Sequence, residues 1–267
     1  MRTPPKPRKR FGQNFLQDGR VIQRIVTALA PRPGDHVVEI GPGRGALTRH
    51  LLDRCRRLDV VEIDRDLTVL LRERFATAAN LIVHEADALA FDFDALTAPG
   101  EKLKVVGNLP YNISTPLLFH LFGQQAVIAQ MLFMLQKEVV ERLAATPGSK
   151  TYGRLSVMAQ YHCRIEKCFN VKPACFQPPP KVMSAVVRLT PHPRPPVEVG
   201  AYGLFETVVA KAFGQRRKTL RNALRGLLEA DAIAACGVDP TARAETLPLE
   251  SFAALSRTLY SRHPGGG

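Results

Sequence analysis

Asn108, Pro110 and Tyr111 stand almost side by side in "NLPYNIST", residues 108–115, where the apolar run Leu103–Val106 ends. An amide, a proline and an aromatic ring in that order suit transfer to an exocyclic amine on a flat base. Such an amine is a poor nucleophile, because its lone pair is delocalised into the ring. An amide oxygen from Asn108 and a free carbonyl from Leu109, both accepting from the NH₂ group, draw that lone pair out of conjugation. Pro110 stiffens the turn by fixing φ. Tyr111 offers a face on which an extruded base can stack. Taken alone, the same residues also describe an ordinary turn, since Asn hydrogen-bonds its own backbone and an aromatic can simply pack.

A second constellation lies upstream. "VVEIGPGRGALTRHLL" runs strand, glycine turn, helix, and glycines at Gly41 and Gly43 let a backbone pass close to a ligand at the strand's carboxyl end. The spacing G-x-G-x-G differs from the dinucleotide fingerprint, and a plain tight turn competes with the ligand reading. Glu62 closes the next strand about 20 residues on, where a carboxylate accepts two hydrogen bonds from a ribose diol. A strand-end carboxylate facing water is the alternative, and Asp64 is a second candidate for the ribose. Asp87, in "HEADAL", can accept from an adenine amine or cap the following helix. Together, at the ends of three successive strands, these features describe a pocket for an adenosine-type ligand. NAD and S-adenosylmethionine both fit it. The Asn-Leu-Pro-Tyr turn selects S-adenosylmethionine, whose sulfonium is already activated and needs neither a metal nor a strong base.

The elements that must position these residues alternate along the chain. Val21, Ile22, Ile25, Val26 and Leu29 predict a helix face. The apolar runs "HVVEI", "DVVEID", "LIVHEA", "KLKVVG", "QMLFML" and "SAVVRL" predict strands separated by helices, hence an α/β fold with a doubly wound parallel sheet covered on both faces. Beyond the Pro-rich stretch 191–200, Leu204, Phe205, Val208, Val209, Ala212 and Phe213 fall at helical spacing. The expected organisation is a basic mobile arm at 1–10, a catalytic domain at 11–190, a linker at 191–200 and a small all-helical domain at 201–267.

The 267 residues carry 45% hydrophobic side chains and a net charge of +13. A surface that positive attracts polyanions and repels copies of itself, so nucleic acid is the expected partner and a monomer the expected state. The five cysteines contain no CxxC pair and, with seven scattered histidines, give no zinc spacing. Reduced thiols, the absence of a signal peptide and the lack of any membrane-length apolar run lead to the expectation of a soluble, cytoplasmic protein without a metal.

"FGQNFLQD", "EIGPGRGALT", "VEIDRDL", "EADAL", "GNLPYNISTPLL", "FQPPPKVMSAVVRL" and "FGQRRKTLRNAL" resemble the bacterial small-subunit (16S) ribosomal RNA adenine-N6 dimethyltransferases, the KsgA/RsmA family, over essentially the whole chain. The resemblance implies a Rossmann-like class I methyltransferase domain followed by a helical RNA- or ribosome-binding domain. It also implies dimethylation of two adjacent adenosines near the 3′ end of the small-subunit RNA, with a role in subunit assembly. By the same resemblance Asn14 and Leu16 belong to the cofactor-closing segment. Gly41, Gly43, Glu62, Asp87 and Asn108 contact S-adenosylmethionine, and Gln13 and Glu39 are further candidates for its methionyl end. Asn108 is then the catalytic amide, and Phe176 sandwiches the adenine with Tyr111. On its own surroundings Phe176 reads instead as a core residue beside a polyproline turn. Lys181 resembles a phosphate contact. Two rival readings remain: a large-subunit RNA dimethyltransferase conferring antibiotic resistance, against which "RRKTLRNAL" speaks, and a non-catalytic RNA-binding assembly factor, against which Asn108, Glu62 and the glycines speak.

The same basic segment predicts a helix burying Leu220, Ala223, Leu224 and Leu227. Arg217, Lys218, Arg221 and Arg225 would then form a flank for RNA phosphates.

Overall fold

The computed structural model describes Arg8, residues 12–215 and residues 217–262. The arm expected at 1–10 therefore lies outside the described residues, apart from Arg8.

Two compact units form. One is Met1–Val140 with Glu166–Pro191, the other Glu141–Ile165 with His192–Gly267. The second unit begins earlier than 201 and includes residues 192–200 of the stretch read as a linker. Aromatic packing explains why residues 141–165 join it: Tyr161 lies 4.8 Å from Phe205, and Phe213 lies 6.0 Å from Tyr152 and 5.6 Å from Phe252 (ring centroids).

In chain order the elements are β1 (Phe15–Leu16), α1 (Gly19–Leu29), β2 (His36–Ile40), α2 (Thr48–Leu51), β3 (Arg57–Glu62), α3 (Arg65–Arg74), β4 (Leu81–Glu85), β5 (Leu103–Asn108), α4 (Ser114–Gly123) and β6 (Ile128–Gln136). There follow α5 (Lys137–Leu143), α6 (Arg154–His162), β7 (Cys163–Val171), β8 (Phe176–Gln177), β9 (Ser184–Pro191), α7 (Tyr202–Gly214), α8 (Leu220–Ala223), α9 (Ala230–Ala235) and α10 (Leu249–Arg262).

The main sheet runs β4, β3, β2, β5, β6, β9, β7 in space. The five strands from β4 across to β6 are parallel. The apolar residues of the inner strands β3, β2 and β5 are buried on both faces, as Val37, Val38, Val60, Val61, Val105 and Val106 illustrate, whereas the edge strand β4 leaves Ile82 exposed. A strand covered on both faces has no polar side to show in its pattern. Helix α1 buries the five expected residues and is N-capped by Asp18, which accepts from the amides of Arg20 and Val21 at 2.8 and 3.1 Å. The expectation of a wholly parallel sheet needs correction, because β9 pairs antiparallel with β6. The segment before β9 carries Pro173, Pro178, Pro179 and Pro180 and cannot build a crossover helix, so the chain returns without one. Strand β7 was not expected. It is an edge strand whose Arg164, Glu166 and Lys167 break any apolar alternation.

Register positions the site. Ile40 lies opposite both Val61 and Gly107, so the next residues, Gly41, Glu62 and Asn108, emerge from three neighbouring strands at one level. Gly107 makes that closeness possible, since a Cβ there would stand 2.5 Å from the Ile40 carbonyl oxygen.

In the second unit α7 buries Phe205, Val208, Val209 and Ala212, and α10 buries Phe252, Ala253, Leu255 and Leu259. The helix expected around residue 220 shortens to the single turn of α8. Gly226 takes a left-handed φ of +78°, which turns the chain, and Leu228 rather than Leu227 becomes buried. Arg217, Lys218, Arg221 and Arg225 are exposed.

Candidate active site

A cavity of about 200 Å³ opens at the carboxyl ends of β2, β3, β4 and β5, lined by Asn14, Gly41, Gly43, Glu62, Asp87, Asn108 and Tyr111 among others. These seven residues, far apart in the sequence, thus share one pocket, together with Gln13 and Leu109. Leu16 lines an adjoining cavity of about 250 Å³, which shares Phe15, Gly41, Gly43 and Asn108 with the first.

The glycine turn is held by the amide of Gly41 donating to the Val61 carbonyl at 2.9 Å. Gly43 has φ +57°, and a Cβ on it would meet the Phe15 ring at 2.9 Å. A side chain there is excluded by both backbone and space. The amide of Gly43 donates to Glu62 Oε2 at 3.2 Å and that of Asp64 to Glu62 Oε1 at 3.0 Å. Both carboxylate oxygens are therefore oriented by backbone, and each keeps further lone-pair capacity towards the pocket. Burial pushes the Glu62 carboxyl above its ordinary value, opposed by those two amides.

Asp64 does not line either cavity. It caps α3 through the Asp66 amide at 3.1 Å and accepts from Arg8 and from Gln13 Nε2, each at 3.0 Å. Gln13 in turn accepts from the Arg8 amide at 2.8 Å. The second candidate for the ribose thus anchors the N-terminal segment instead, and Gln13 is engaged in that tie at both ends of its amide.

Asn108 Nδ2 donates to the Asn14 carbonyl at 2.8 Å. That bond fixes the amide and leaves Oδ1 as its acceptor. Among the carbonyls that follow, Pro110's accepts from the Ile113 amide at 3.2 Å and Tyr111's from Ser114 Oγ at 3.1 Å. Leu109's accepts no hydrogen bond from any described group, as an acceptor for a substrate amine must. Asp87 is exposed at the pocket, and its Oδ1 accepts from the Leu89 amide at 2.9 Å. Capping its own turn occupies one oxygen and leaves the other.

Glu39, on the floor of the second cavity, is 2% exposed and accepts from Thr48 Oγ1 at 2.6 Å. Burial pushes its carboxyl up to about 7. Arg44, Arg49 and Arg74 line the same cavity, and the Arg44 guanidinium lies 4.6 Å above the Phe15 ring. An acid on the floor and cations around it complement a zwitterion.

Phe176 departs from the sandwich expected of it. It is 3% exposed, packs within the main hydrophobic core and pairs with Leu16 across the β1–β8 ladder. It lines neither cavity. Burial of an aromatic ring against Leu16 is the competing use, and here it wins. Lys181 is exposed. The sequence reading missed Phe15, which walls both cavities, and Ile63, 48% exposed beside Glu62. An isoleucine directly after the strand-end acid was the available signal, because an exposed apolar side chain at a pocket offers a surface to a flat ring. It also missed Ser184, whose Oγ lies 2.7 Å from the Tyr111 hydroxyl.

An open sheet with a glycine turn after one central strand, a buried acid closing the next and Asn-Leu-Pro-Tyr at the end of a third defines a class I methyltransferase. Known proteins narrow the class. A family profile described as ribosomal RNA adenine dimethylase matches residues 5–260, and the chain belongs to that family. Relatives named ribosomal RNA small subunit methyltransferase A include one from Methylococcus capsulatus, 58% identical over 253 residues that cover 95% of this chain and 98% of that one. Another, from Pseudomonas aeruginosa, is 58% identical with 95% of each chain covered. Among solved structures, a dimethyladenosine transferase from Plasmodium falciparum superposes with a TM-score of 0.77 at 25% identity, covering 90% of this chain and 95% of that one. The 23S rRNA methyltransferase ErmE gives 0.69 at 30% identity, covering 92% and 99%.

Proposed function

We propose that the protein transfers methyl groups from S-adenosylmethionine to the N6 amines of two adjacent adenosines near the 3′ end of small-subunit ribosomal RNA. The observation that carries the chemistry is the pair of acceptors at the end of β5: Asn108 Oδ1, oriented by the bond from Nδ2 to Asn14, and the unengaged Leu109 carbonyl. Together they accept both protons of an adenine amine and turn its lone pair outward.

The residues present fit the cofactor. Glu62 suits a ribose diol, and Asp87 and Ile63 suit an adenine. Gly41 and Gly43, both at left-handed φ, let the turn run bare along the pocket, where a Cβ on Gly43 would strike the Phe15 ring. Glu39 and Arg44 suit the ammonium and carboxylate of the amino-acid end. When bound, S-adenosylmethionine supplies an electrophilic methyl group on a cationic sulfur. The chain's own part is to hold the base on Tyr111, exclude water from the strand ends and aim the amine.

The charge of +13 and the exposed cations from Arg217 to Arg225 suit an RNA substrate, with the protein acting as a monomer in the cytoplasm on an assembling small subunit. No helix among the described residues is long and apolar enough to cross a membrane. The test is to supply labelled S-adenosylmethionine and unmethylated ribosomal subunits to the purified protein and map the label. Label on two neighbouring adenosines of small-subunit RNA is expected. Label on large-subunit RNA would replace this reading with the one named for ErmE.

A further inference from the structure

With Phe176 in the core, Tyr111 is the aromatic of the Asn-Leu-Pro-Tyr turn left to hold a base at the pocket. A single ring keeps a base in line only if the ring itself does not swing. Tyr111 is fastened at two points. Its backbone carbonyl accepts from Ser114 Oγ at 3.1 Å, and its hydroxyl meets Ser184 Oγ at 2.7 Å. Both serines are buried, Ser184 completely.

Ser184 is itself immobile. It opens β9, stands opposite Gln136 of β6, and follows Met183, whose carbonyl accepts from the Lys137 amide at 2.9 Å. Tyr111 belongs to the turn after β5, so the hydroxyl pair reaches past β6 and ties the turn to the antiparallel strand. Burial pushes the Tyr111 phenol above its ordinary value, so the hydroxyl keeps its proton at neutral pH.

We infer that Ser184 is a positioning residue for methyl transfer, its hydroxyl locking the Tyr111 ring so that a stacked adenine presents its amine to Asn108. The inference rests on the proposed base-stacking role of Tyr111. Ser184 touches no substrate and acts only through the tyrosine.

The experiment uses the full chain, unmethylated small subunits and S-adenosylmethionine in single turnover. Its variants are Ser184→Ala, Tyr111→Phe, the two combined, and Tyr111→Ala. Losing one neutral hydrogen bond predicts about a three- to tenfold slower transfer in Ser184→Ala. Tyr111→Phe removes the same bond from the other side without touching β9 and should slow transfer equally. The double variant should be no slower than either single one. Affinity for subunits and cofactor should stay within about twofold throughout, since a lost lock lowers the rate and not the binding. Ser184→Ala at the wild-type rate, or losses that multiply in the double variant, would overturn the inference. If Tyr111→Ala also transferred at the wild-type rate, the stacking role itself would be wrong. A slow Tyr111→Ala beside an unimpaired Ser184→Ala would retire only the lock.

Discussion

Two regions of this chain carry the chemistry proposed for it, and they are built in opposite ways. At the strand ends the functional groups are pinned: Glu62 by two backbone amides, Asn108 by the Asn14 carbonyl, Tyr111 by two serines. Around α8, Arg217, Lys218, Arg221 and Arg225 project from one helical turn and its flanks into solvent. A transition state demands placement to a fraction of an ångström, so the pocket is rigid. A polyanion demands charge in the right neighbourhood, so the basic segment needs no helix to present it. Single substitutions should therefore be severe in the first region and cumulative in the second.

The largest effect should come from Asn108→Ala. Removing one oriented acceptor from an enclosed site costs about 10²–10³ in rate by analogy with oxyanion-hole donors. Single-turnover transfer should fall by that factor, while circular dichroism and subunit affinity stay near wild type. A variant within tenfold of wild type would mean that the pinned amide is dispensable and that the contrast drawn between the two regions fails at its strongest point.

The basic segment should respond next, and only in sum. Changing Arg217, Lys218 and Arg221 together to Ala should weaken subunit binding and flatten its salt dependence by about 0.7–0.9 in slope for each phosphate left without its cation. Cofactor affinity should not change. An unaltered slope in a titration of binding against salt would move the RNA footprint to another surface.

Phe176→Leu sharpens the boundary of the pocket. A core ring exchanged for a smaller apolar side chain should cost about 1 kcal/mol of stability, read as a lower urea midpoint, and leave the transfer rate within about twofold. A collapse in rate with normal stability would return Phe176 to the base sandwich and require the β1–β8 pairing to open during catalysis.

The smallest effect concerns Glu39. Its carboxyl holds a proton more tightly in the fold than in the unfolded chain, because burial disfavours the charge. The stability contributed by that neutral form is complete below the ordinary carboxyl range and is lost as pH rises through about 7. Glu39→Gln should therefore unfold with wild type near pH 4.5 and prove more stable by about 1 kcal/mol at pH 8 in the ligand-free protein. That is less than the full shift would give, because the adjoining cavity admits water. Equal midpoints at pH 8 would show the carboxylate to be solvated.

Much of this was legible from one dimension. The glycine turn, Glu62, Asp87 and Asn-Leu-Pro-Tyr each end an apolar run, and a strand's end is where its side chains leave the core. Helix α1 was readable because its apolar spacing is that of a one-sided helix, and its buried residues are those expected. The strands β2, β3, β5 and β6 were readable because burial on both faces leaves nearly continuous apolar runs, and the edge strand β4 because Leu81, Ile82 and Val83 still form one despite their exposure. Strand β7 was hidden by its charges, and the shortening of α8 by a periodicity that continued through Gly226 while the backbone did not.

The residue types at the strand ends, and hence the kind of chemistry available, were properties of the sequence alone, because local patterning decides which segments are buried and where they stop. Three matters were decided only by tertiary structure. Register brought Gly41, Glu62 and Asn108 to one level, since pairing between strands more than twenty residues apart is set by how their faces pack. Competition for the same side chain took Phe176 into the core and Asp64 to a helix cap, because burial and hydrogen bonding with distant partners outweighed a motif's local promise. The partnership of Tyr111 with Ser184, 73 residues apart, exists only because an antiparallel strand returns beside β6, and no local spacing encodes a contact that the fold creates.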